Sequence, residues 1–350
     1  MIGEPHSEVR ADSARTDTKV DPMPILRSST IPLGVIAAGL LVSLAACATP
    51  ANAPAPESAP VTAYSAASDA STLVGLDVSA GQLPENIVSA GDNVVVTFAA
   101  SRQVASVAPD GEVDILGTLP TPAGGGVTTP VLGFPLATGL ALVDGSYFAL
   151  YATGEADTTG LWELGSDGTF TLVAPLPATS LPNGLTFDEK NDRFLATDSA
   201  LGVIYSIERS GEVQTWSDDP QLAMSGFLGA NGIQLHDGEV YVSNLDAGTI
   251  LRIEVGDDGA AGSVRVVASD LAGIDDFAFT GRGDQIIATL NPTSEVVLVD
   301  GDSHTTVLSE DDGLTNPTSV LVRGDTIYVA SAAYVNQDSP NLLTATLSAK

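Results

Sequence analysis

The segment Pro182-Asn183-Gly184-Leu185-Thr186-Phe187 sets a short polar turn directly before an apolar strand. Five similar segments lie between residue 84 and the C-terminus, and each is followed by a second strand rich in Val, Tyr or Phe. Successive aligned positions are 41 to 53 residues apart, and Asn183 aligns with Glu85, Thr138, Asn231, Asp275 and Asn316. A repeat of about 40 to 50 residues with several short strands is typical of propeller blades. The sequence therefore predicts an all-β protein, a six-bladed β-propeller with four-stranded blades.

The composition agrees with this fold. The 350 residues include 35 Gly and 21 Pro, and 44% are hydrophobic while only 16% are charged. So many turn-forming residues among Val, Ile and Thr favour short strands over long helices. A propeller usually closes its ring by placing strands from both ends of the chain in one blade. This arrangement removes the open edge that a linear array of blades would leave. We expect residues 73–78 and 342–347, two alternating apolar segments, to lie together in the last blade.

The N-terminal region has the pattern of an export signal. A polar leader with four basic residues precedes an apolar run at residues 31–46, which ends in Leu44-Ala45-Ala46-Cys47. This ending resembles the lipobox of bacterial lipoproteins, so we predict that residues 1–47 are a lipoprotein signal peptide and that Cys47 is lipidated. An ordinary signal peptide or an N-terminal membrane anchor with an incidental cysteine is the alternative.

The segment after Cys47 is almost entirely Ala, Pro, Ser, Thr and Asn. We predict that residues 48–72 are a disordered tether and that residues 73–350 form the propeller. The expected location is the outer face of the cell membrane, with the lipid anchor as the one contact with the bilayer.

The charge of the chain limits its partners. Asp and Glu number 44 against 13 Lys and Arg, which gives a formal net charge of −31. Such a surface repels phosphate backbones, so nucleic-acid binding is not expected. The single cysteine excludes a disulfide within the chain. We expect a monomer that acts on a small molecule.

Four of the aligned residues form a candidate metal site. Glu85, Asn183, Asn231 and Asp275 precede the innermost strand of their blades, where side chains point into the central channel. Two carboxylates and two amides offer only oxygen ligands, which suits Ca²⁺ best, with Mg²⁺, Mn²⁺ or Zn²⁺ as alternatives. The competing interpretation is that Asn-Gly and Asp-Asp are only turn residues before strands. The pair Asp275-Asp276 also leaves open which aspartate is the ligand.

The same segments resemble a known family. Leu83-Pro84-Glu85, Pro182-Asn183-Gly184-Leu185 and Ala230-Asn231-Gly232-Ile233, together with Asp275, resemble the gluconolactonase, regucalcin and luciferin-regenerating enzyme family. The resemblance covers residues 73–347 and implies one divalent cation in the channel and hydrolysis of a lactone or another activated ester. The chain departs from the family in having Glu85-Asn86-Ile87 in place of Glu-Gly-Pro, and Asp275-Asp276 in place of Asp-Gly.

Roles for the four residues follow if the site is catalytic. Asp275 is the candidate general base or nucleophile, because a carboxylate beside a metal keeps its charge at neutral pH. Asn183 and Asn231 would position metal and substrate, and Glu85 would mainly hold the ion. The sequence contains no G-x-S-x-G elbow and no P-loop. His236 is expected to be a core or surface residue, and Trp162 and Trp216 are expected to pack between sheets.

A rival function belongs to a different class. The chain could be a lipid-anchored binding or scaffold propeller with a structural calcium and no catalysis, since propellers host binding as readily as chemistry. Residues 119–135 and 218–229 are loops long enough to form a lid over the channel or to plug it. An open channel would favour an enzyme.

Overall fold

A computed structural model describes residues 62–349 of the chain. Its 24 strands form six antiparallel sheets of four strands, which confirms the predicted six-bladed β-propeller. The predicted signal peptide, Cys47 and the first part of the tether lie outside the described residues.

The strands follow one another without long helices. In chain order they are β1 (Ala66–Gly75), β2 (Pro84–Ala90), β3 (Asn93–Phe98), β4 (Gln103–Val107), β5 (Val113–Thr118), β6 (Leu136–Val143), β7 (Ser146–Ala152), β8 (Gly160–Leu164), β9 (Phe170–Pro175), β10 (Pro182–Asp188), β11 (Arg193–Asp198), β12 (Val203–Glu208), β13 (Val213–Ser217), β14 (Ala230–His236), β15 (Glu239–Asn244), β16 (Thr249–Val255), β17 (Ala261–Ala268), β18 (Ile274–Phe279), β19 (Ile286–Leu290), β20 (Glu295–Asp300), β21 (Ser303–Leu308), β22 (Pro317–Arg323), β23 (Thr326–Ser331) and β24 (Asn341–Ser348).

The blades use these strands in consecutive sets of four. Blade 1 is β2 to β5, blade 2 is β6 to β9, blade 3 is β10 to β13, blade 4 is β14 to β17 and blade 5 is β18 to β21. Blade 6 has the order β22-β23-β24-β1, with β1 antiparallel to β24. Thr72 pairs with Leu343 and Val74 with Leu342, so the predicted closure by both ends of the chain is confirmed.

The predicted boundary between tether and propeller is wrong by several residues. Strand β1 begins at Ala66, inside the segment 48–72, and Tyr64 is already buried. The Tyr64 backbone N–H donates to Gln285 Oε1 at 2.9 Å, and its carbonyl oxygen accepts from Gln285 Nε2 at 2.9 Å. Small polar residues are poor strand formers alone, but here β24 supplies backbone partners for them.

Helical structure in residues 62–349 consists of three short 3₁₀ turns, Val78–Ala80, Pro220–Leu222 and Glu310–Asp312. In this part of the chain no helix is both long enough and apolar enough to cross a bilayer.

Adjacent blades are joined by apolar packing and by a ring of hydrogen bonds near the axis. Each of the six junctions has its own buried hydrophobic cluster, such as the Phe148–Phe194 contact between blades 2 and 3, with ring centroids 4.7 Å apart. Each junction also has a buried Thr or Ser hydroxyl that donates to a backbone carbonyl of the next blade: Thr97 to Thr138, Thr138 to Pro182, Thr197 to Asn231, Ser243 to Asp275, Thr289 to Thr318 and Thr318 to Pro84. These bonds satisfy backbone carbonyls where the inner strands of neighbouring blades meet.

Candidate active site

A β-bulge near the start of every inner strand places the candidate residues. In blade 3, Pro182 pairs with Asp198 and Leu185 with Ala196, so β10 has one residue more than β11 in this interval. The other five blades have the same register shift. A bulge re-aims the side chains of a strand and often lies beside a functional site. Five of the six aligned residues of the sequence repeat, all except Asn316, therefore lie in bulges.

The bulges contribute two layers of residues around the axis. The upper layer, the first residue of each bulge, is Glu85, Thr138, Asn183, Asn231, Asp275 and Thr318. The lower layer, the second residue, is Asn86, Gly139, Gly184, Gly232, Asp276 and Ser319.

The interpretation of Asn-Gly as a turn is not what the structure shows. Asn183-Gly184 lies within β10 and Asn231-Gly232 within β14. A Cβ atom on Gly184 would overlap the carbonyl oxygen of Asn231 in the next blade, and one on Gly232 would overlap Asp276. Glycine is therefore needed at these positions because the inner strands approach one another closely at the axis.

The alignment of Asn316 with the upper layer is wrong, since the register of blade 6 puts Thr318 there. Asn316 instead precedes β22 with φ 51°, in the left-handed region that asparagine tolerates. Its Oδ1 accepts from the backbone N–H of Val335 at 2.9 Å, and its Nδ2 donates to the carbonyl oxygen of Asn291 at 3.1 Å. Asn316 thus joins two loops that border the site.

One cavity of about 480 Å³ contains all four predicted site residues. Glu85, Asn183, Asn231 and Asp275 line its floor, whereas Thr138 in the same layer is buried and bonded to blade 3. Asn231 Nδ2 donates to Asp275 Oδ1 at 3.0 Å, which links blades 4 and 5 directly. The structure therefore brings the four residues together, as the repeat register predicts.

Two further residues of the floor were missed by the sequence analysis. Asn291 Nδ2 donates to Asp275 Oδ2 at 2.9 Å, and Tyr334 Oη donates to Glu85 Oε2 at 2.5 Å. Both follow the second strand of their blades, β19 and β23, on loops of unequal length. The only signal in the sequence was the position of each residue within its blade. The loop after the second strand of a blade begins at the face of the propeller where the first strand also begins.

Burial makes the carboxylates of the floor hard to ionise. Burial raises the pKa of Glu85 from 4.5 to about 7. The hydrogen bond from Tyr334 lowers this pKa, and repulsion from Asp276 raises it further. Burial, followed by repulsion from Glu85 and Asp276, raises the pKa of Asp275 well above its ordinary value despite the bonds from Asn291 and Asn231. Burial and the Glu85 carboxylate also raise the pKa of Tyr334. When ionised, these carboxylates place negative charge at the floor that no cationic side chain of the cavity lining balances.

The donor set fits a hard divalent cation. No Lys, Arg or His is among the cavity-lining residues of the described chain, so no side chain there balances Glu85 and Asp275. Within residues 62–349 the Asn183 amide, which is buried at the floor, makes no hydrogen bond. Oxygen atoms from two carboxylates and two amides are ligands that Ca²⁺ takes, with water completing its shell. Buried carboxylates of like charge are stable when a cation pairs them.

Asp276 belongs to a different surface from Asp275. Its carboxylate accepts from Ser319 Oγ at 2.7 Å, from the Phe277 backbone N–H at 2.8 Å and from Asn86 Nδ2 at 3.3 Å. Burial raises its pKa to about 6 against the first two of these bonds. Asp276 lines a recess of about 800 Å³ at the opposite end of the channel, which none of the four predicted residues lines. Asp275 is therefore the aspartate that shares a cavity with Glu85, Asn183 and Asn231.

The long loops border the cavity and leave it open. Leu132 and Phe134 come from loop 119–135, and Phe227 and Leu228 come from loop 218–229. Phe227 is 48% exposed, and Val335 of the β23–β24 loop is 77% exposed. The loops therefore act as walls around a solvent-accessible mouth, and they do not plug it.

The other candidate residues take structural positions. Trp162 is buried and its Nε1 donates to the carbonyl oxygen of Thr158, while the Trp216 Nε1 donates to that of Gly259. The His236 ring stacks on Phe279 with centroids 3.7 Å apart, at the mouth of the larger recess. Within residues 62–349, His236, Asp237 and Asp284 are the one set of three His, Cys, Asp or Glu side chains whose ligand atoms lie within 4.8 Å of one another, and both aspartates are exposed.

Comparisons with known proteins agree with the fold. No protein-family model matches the chain, and no curated protein matches its sequence. Similar solved structures include the gluconolactonase XC5397 from Xanthomonas campestris, 16% identical over 80% of this chain and 89% of the other, with a TM-score of 0.59. A luciferin-regenerating enzyme is 9% identical over 77% and 94%, with a TM-score of 0.58.

A calcium-binding protein, regucalcin, from Agrobacterium tumefaciens is 13% identical over 83% of this chain and 97% of the other, with a TM-score of 0.56. The structural neighbours thus include the proteins that the sequence motifs resemble. At these identities the likeness establishes the fold.

Proposed function

We propose that the chain is a divalent-cation-dependent hydrolase of lactones or related esters. The observation that carries the proposal is the cavity floor, where Glu85, Asp275, Asn183 and Asn231 converge with no cationic side chain among the lining residues. Glu85 and Asp275 both have raised pKa values. The likeness in fold to a gluconolactonase supports lactones as the substrate class.

Glu85, Asn183, Asn231 and Asp275 would hold the cation, with Ca²⁺ as the expected ion. When bound, it would supply positive charge that polarises the substrate carbonyl and stabilises the developing oxyanion.

Asp275 is the general base in this proposal. Its carboxylate is held from both sides by Asn231 and Asn291, which fixes its orientation toward the cavity. It takes a proton from water while the water oxygen bonds to the carbonyl carbon. The ring C–O bond then breaks, and the leaving alkoxide takes the proton back, so that one lactone and one water give one hydroxy acid.

Tyr334 and Asn291 position the two carboxylates. The Tyr334 hydroxyl donates to one oxygen of Glu85, and the second Glu85 oxygen accepts no hydrogen bond from residues 62–349. Asn316 holds the loops of both residues together through its amide. These contacts keep Glu85 and Asp275 in fixed rotamers, which a preorganised site requires.

The alternative is a scaffold propeller with a structural calcium. The open mouth above the floor favours the hydrolase, because a purely structural ion needs no 480 Å³ cavity with apolar walls. Cavities of this size are typical of small-molecule sites.

Hydrolysis assays with and without chelator test the proposal. Purified protein would be screened against lactones and aryl esters, then stripped with EDTA and given back Ca²⁺, Mg²⁺, Mn²⁺ or Zn²⁺. We expect activity that EDTA removes and one cation restores. Full activity in EDTA, or none on any lactone or ester with any cation, would contradict it.

We further propose that the protein acts as a monomer on the outer face of the cell membrane, anchored through Cys47. The support is the sequence Leu44-Ala45-Ala46-Cys47 after an apolar run. Cys47→Ala should release the protein from the membrane fraction or block its processing. An unchanged distribution and an unchanged N-terminus would argue against the anchor.

A further inference from the structure

The walls of the cavity differ sharply from its floor. Eleven of its eighteen lining residues are apolar, and six of the seven polar ones are Glu85, Asn183, Asn231, Asp275, Asn291 and Tyr334, the floor residues. The seventh, Gln337, is exposed and its Nε2 donates to the backbone of Tyr334. Above the floor, the cavity therefore offers a ligand little except hydrocarbon.

The apolar wall is built into the repeat. Leu83, Leu136, Leu181 and Leu228 lie at or just before the inner strands of blades 1 to 4, and all four are buried in one hydrophobic cluster. The four leucines precede the upper-layer residues of their blades by two or three positions. Each leucine occupies a similar place in its blade, so the apolar wall is as regular as the polar floor.

The outer part of the wall is held in place by hydrogen bonds. The Asp246 carboxylate accepts backbone N–H groups of Ser225, Gly226 and Phe227 at 2.7 to 3.1 Å. Although partial burial opposes ionisation, these bonds lower the pKa of Asp246. Phe227 is thus exposed to solvent on a loop whose backbone is fixed. On the opposite loop, Val335 is fixed by Asn316.

The lining also lacks groups that a polar substrate needs. A sugar lactone has several hydroxyls, and each costs free energy when buried without a hydrogen-bond partner. A carboxylate or phosphate would face Glu85 and Asp275 with no Lys, Arg or His in the lining. The cavity thus disfavours polyhydroxylated and anionic substrates.

We propose that the substrate is a neutral lactone or ester with an apolar acyl chain, which lies against Leu83, Leu181, Phe227 and Val335 while its carbonyl reaches the floor. This inference rests on the proposed function. In this proposal the cavity walls bind the acyl chain of the substrate, and sugar lactones are not the preferred substrate class.

The test is a substrate series on the calcium-loaded full-length protein. γ-Lactones with alkyl side chains of one to seven carbons would be compared with glucono-δ-lactone by a pH-indicator assay. Burial of one methylene gives about a fourfold gain, so kcat/KM should rise about fourfold per carbon over the first several carbons. Glucono-δ-lactone should be at least about 100-fold slower than the best alkyl lactone, because its hydroxyls find no partners.

Phe227→Ser provides the matched variant. It should lower kcat/KM for the seven-carbon lactone about tenfold more than for the one-carbon lactone, since about 1.4 kcal/mol of apolar burial is lost. The control is Val127→Ser on loop 119–135, where Val127 is 72% exposed and does not line the cavity. Val127→Ser should leave the chain-length dependence unchanged.

The outcomes separate this inference from the proposed function. Preference for glucono-δ-lactone with no dependence on chain length would overturn the inference and leave the hydrolase standing. If no lactone or ester is hydrolysed, the hydrolase fails, and binding of the neutral apolar dye N-phenyl-1-naphthylamine decides the inference. Fluorescence enhancement that Phe227→Ser removes and Val127→Ser retains would support an apolar ligand, and its absence in the unmodified protein would overturn it.

Discussion

Removal of the Glu85 charge should stabilise the metal-free protein. Burial raises the pKa of Glu85 from 4.5 to about 7, so the folded state disfavours the ionised side chain. A tenfold change in proton affinity corresponds to about 1.4 kcal/mol, so this pKa shift disfavours ionised Glu85 by about 3 kcal/mol. The value is an upper bound because the carboxylate borders an open cavity. Glu85→Gln should recover up to that amount, since an amide oxygen can still accept from Tyr334.

The pH dependence has a definite sign. A carboxylate with a raised folded-state pKa binds more protons when folded, so its contribution to stability falls as pH rises from 4.5 to about 7. The gain from Glu85→Gln should therefore be largest at pH 8, up to about 3 kcal/mol, and below about 1 kcal/mol at pH 5, measured by urea unfolding in EDTA.

Calcium should narrow this difference. At a free Ca²⁺ concentration about 100-fold above the dissociation constant, the unmodified protein should gain about 2.7 kcal/mol, and Glu85→Gln should gain much less. The control is Glu208→Gln, an exposed glutamate at the end of β12, which should change stability by less than about 0.5 kcal/mol in every condition. Equal stability of Glu85→Gln and the unmodified protein in EDTA at pH 8, with equal gains in Ca²⁺, would refute the reasoning.

Three other predictions test the remaining parts of the account. Asp275→Asn should reduce kcat for the best lactone by at least about 100-fold while Ca²⁺ binding weakens less, because an amide oxygen can coordinate but cannot act as a base; retained turnover would remove Asp275 from catalysis. Asp246→Ala should lower kcat/KM for long-chain lactones about five- to tenfold, since the loop of Phe227 loses its backbone acceptor; unchanged kinetics would show that the loop needs no such support. Thr318→Val should cost about 1 to 3 kcal/mol in urea unfolding, because the Pro84 carbonyl loses its buried donor at the junction of blades 6 and 1; a cost no larger than that of the exposed Thr171→Val would contradict the role of the ring.

The sequence predicted the fold and the convergence of Glu85, Asn183, Asn231 and Asp275 for one physical reason. Each blade must begin with a bulged inner strand that approaches its neighbour closely at the axis, so the same kinds of residue recur at the same place. Asn183-Gly184 and Asn231-Gly232 are the clearest examples, because the glycines leave room for the next blade. Residues that recur along the sequence therefore lie in a ring around the propeller axis.

The residues that were missed have no such periodicity. Tyr334 and Asn291 lie on loops after β23 and β19, and their contacts with Glu85 and Asp275 depend on loop conformations. Asn316 was aligned by residue type, whereas the bulge in blade 6 is defined by backbone pairing and selects Thr318. Residue identity alone could not distinguish the two.

The position of the first strand could not be predicted from local sequence either. Strand β1 consists largely of Ala, Ser and Thr, which resemble the preceding tether in composition. It is ordered by pairing with β24, more than 260 residues away in the chain. Pairing with the C-terminus thus outweighs weak local propensity.

Calorimetric titration of Ca²⁺ into the chelator-stripped protein tests the central claim most directly. One cation per chain should bind, and Glu85→Gln should weaken its affinity by at least about tenfold, since one of two charged ligands is lost. Glu208→Gln should bind as the unmodified protein does. Absence of heat with Ca²⁺, Mg²⁺, Mn²⁺ and Zn²⁺ alike, or an affinity that Glu85→Gln does not change, would contradict a metal site formed by Glu85, Asn183, Asn231 and Asp275.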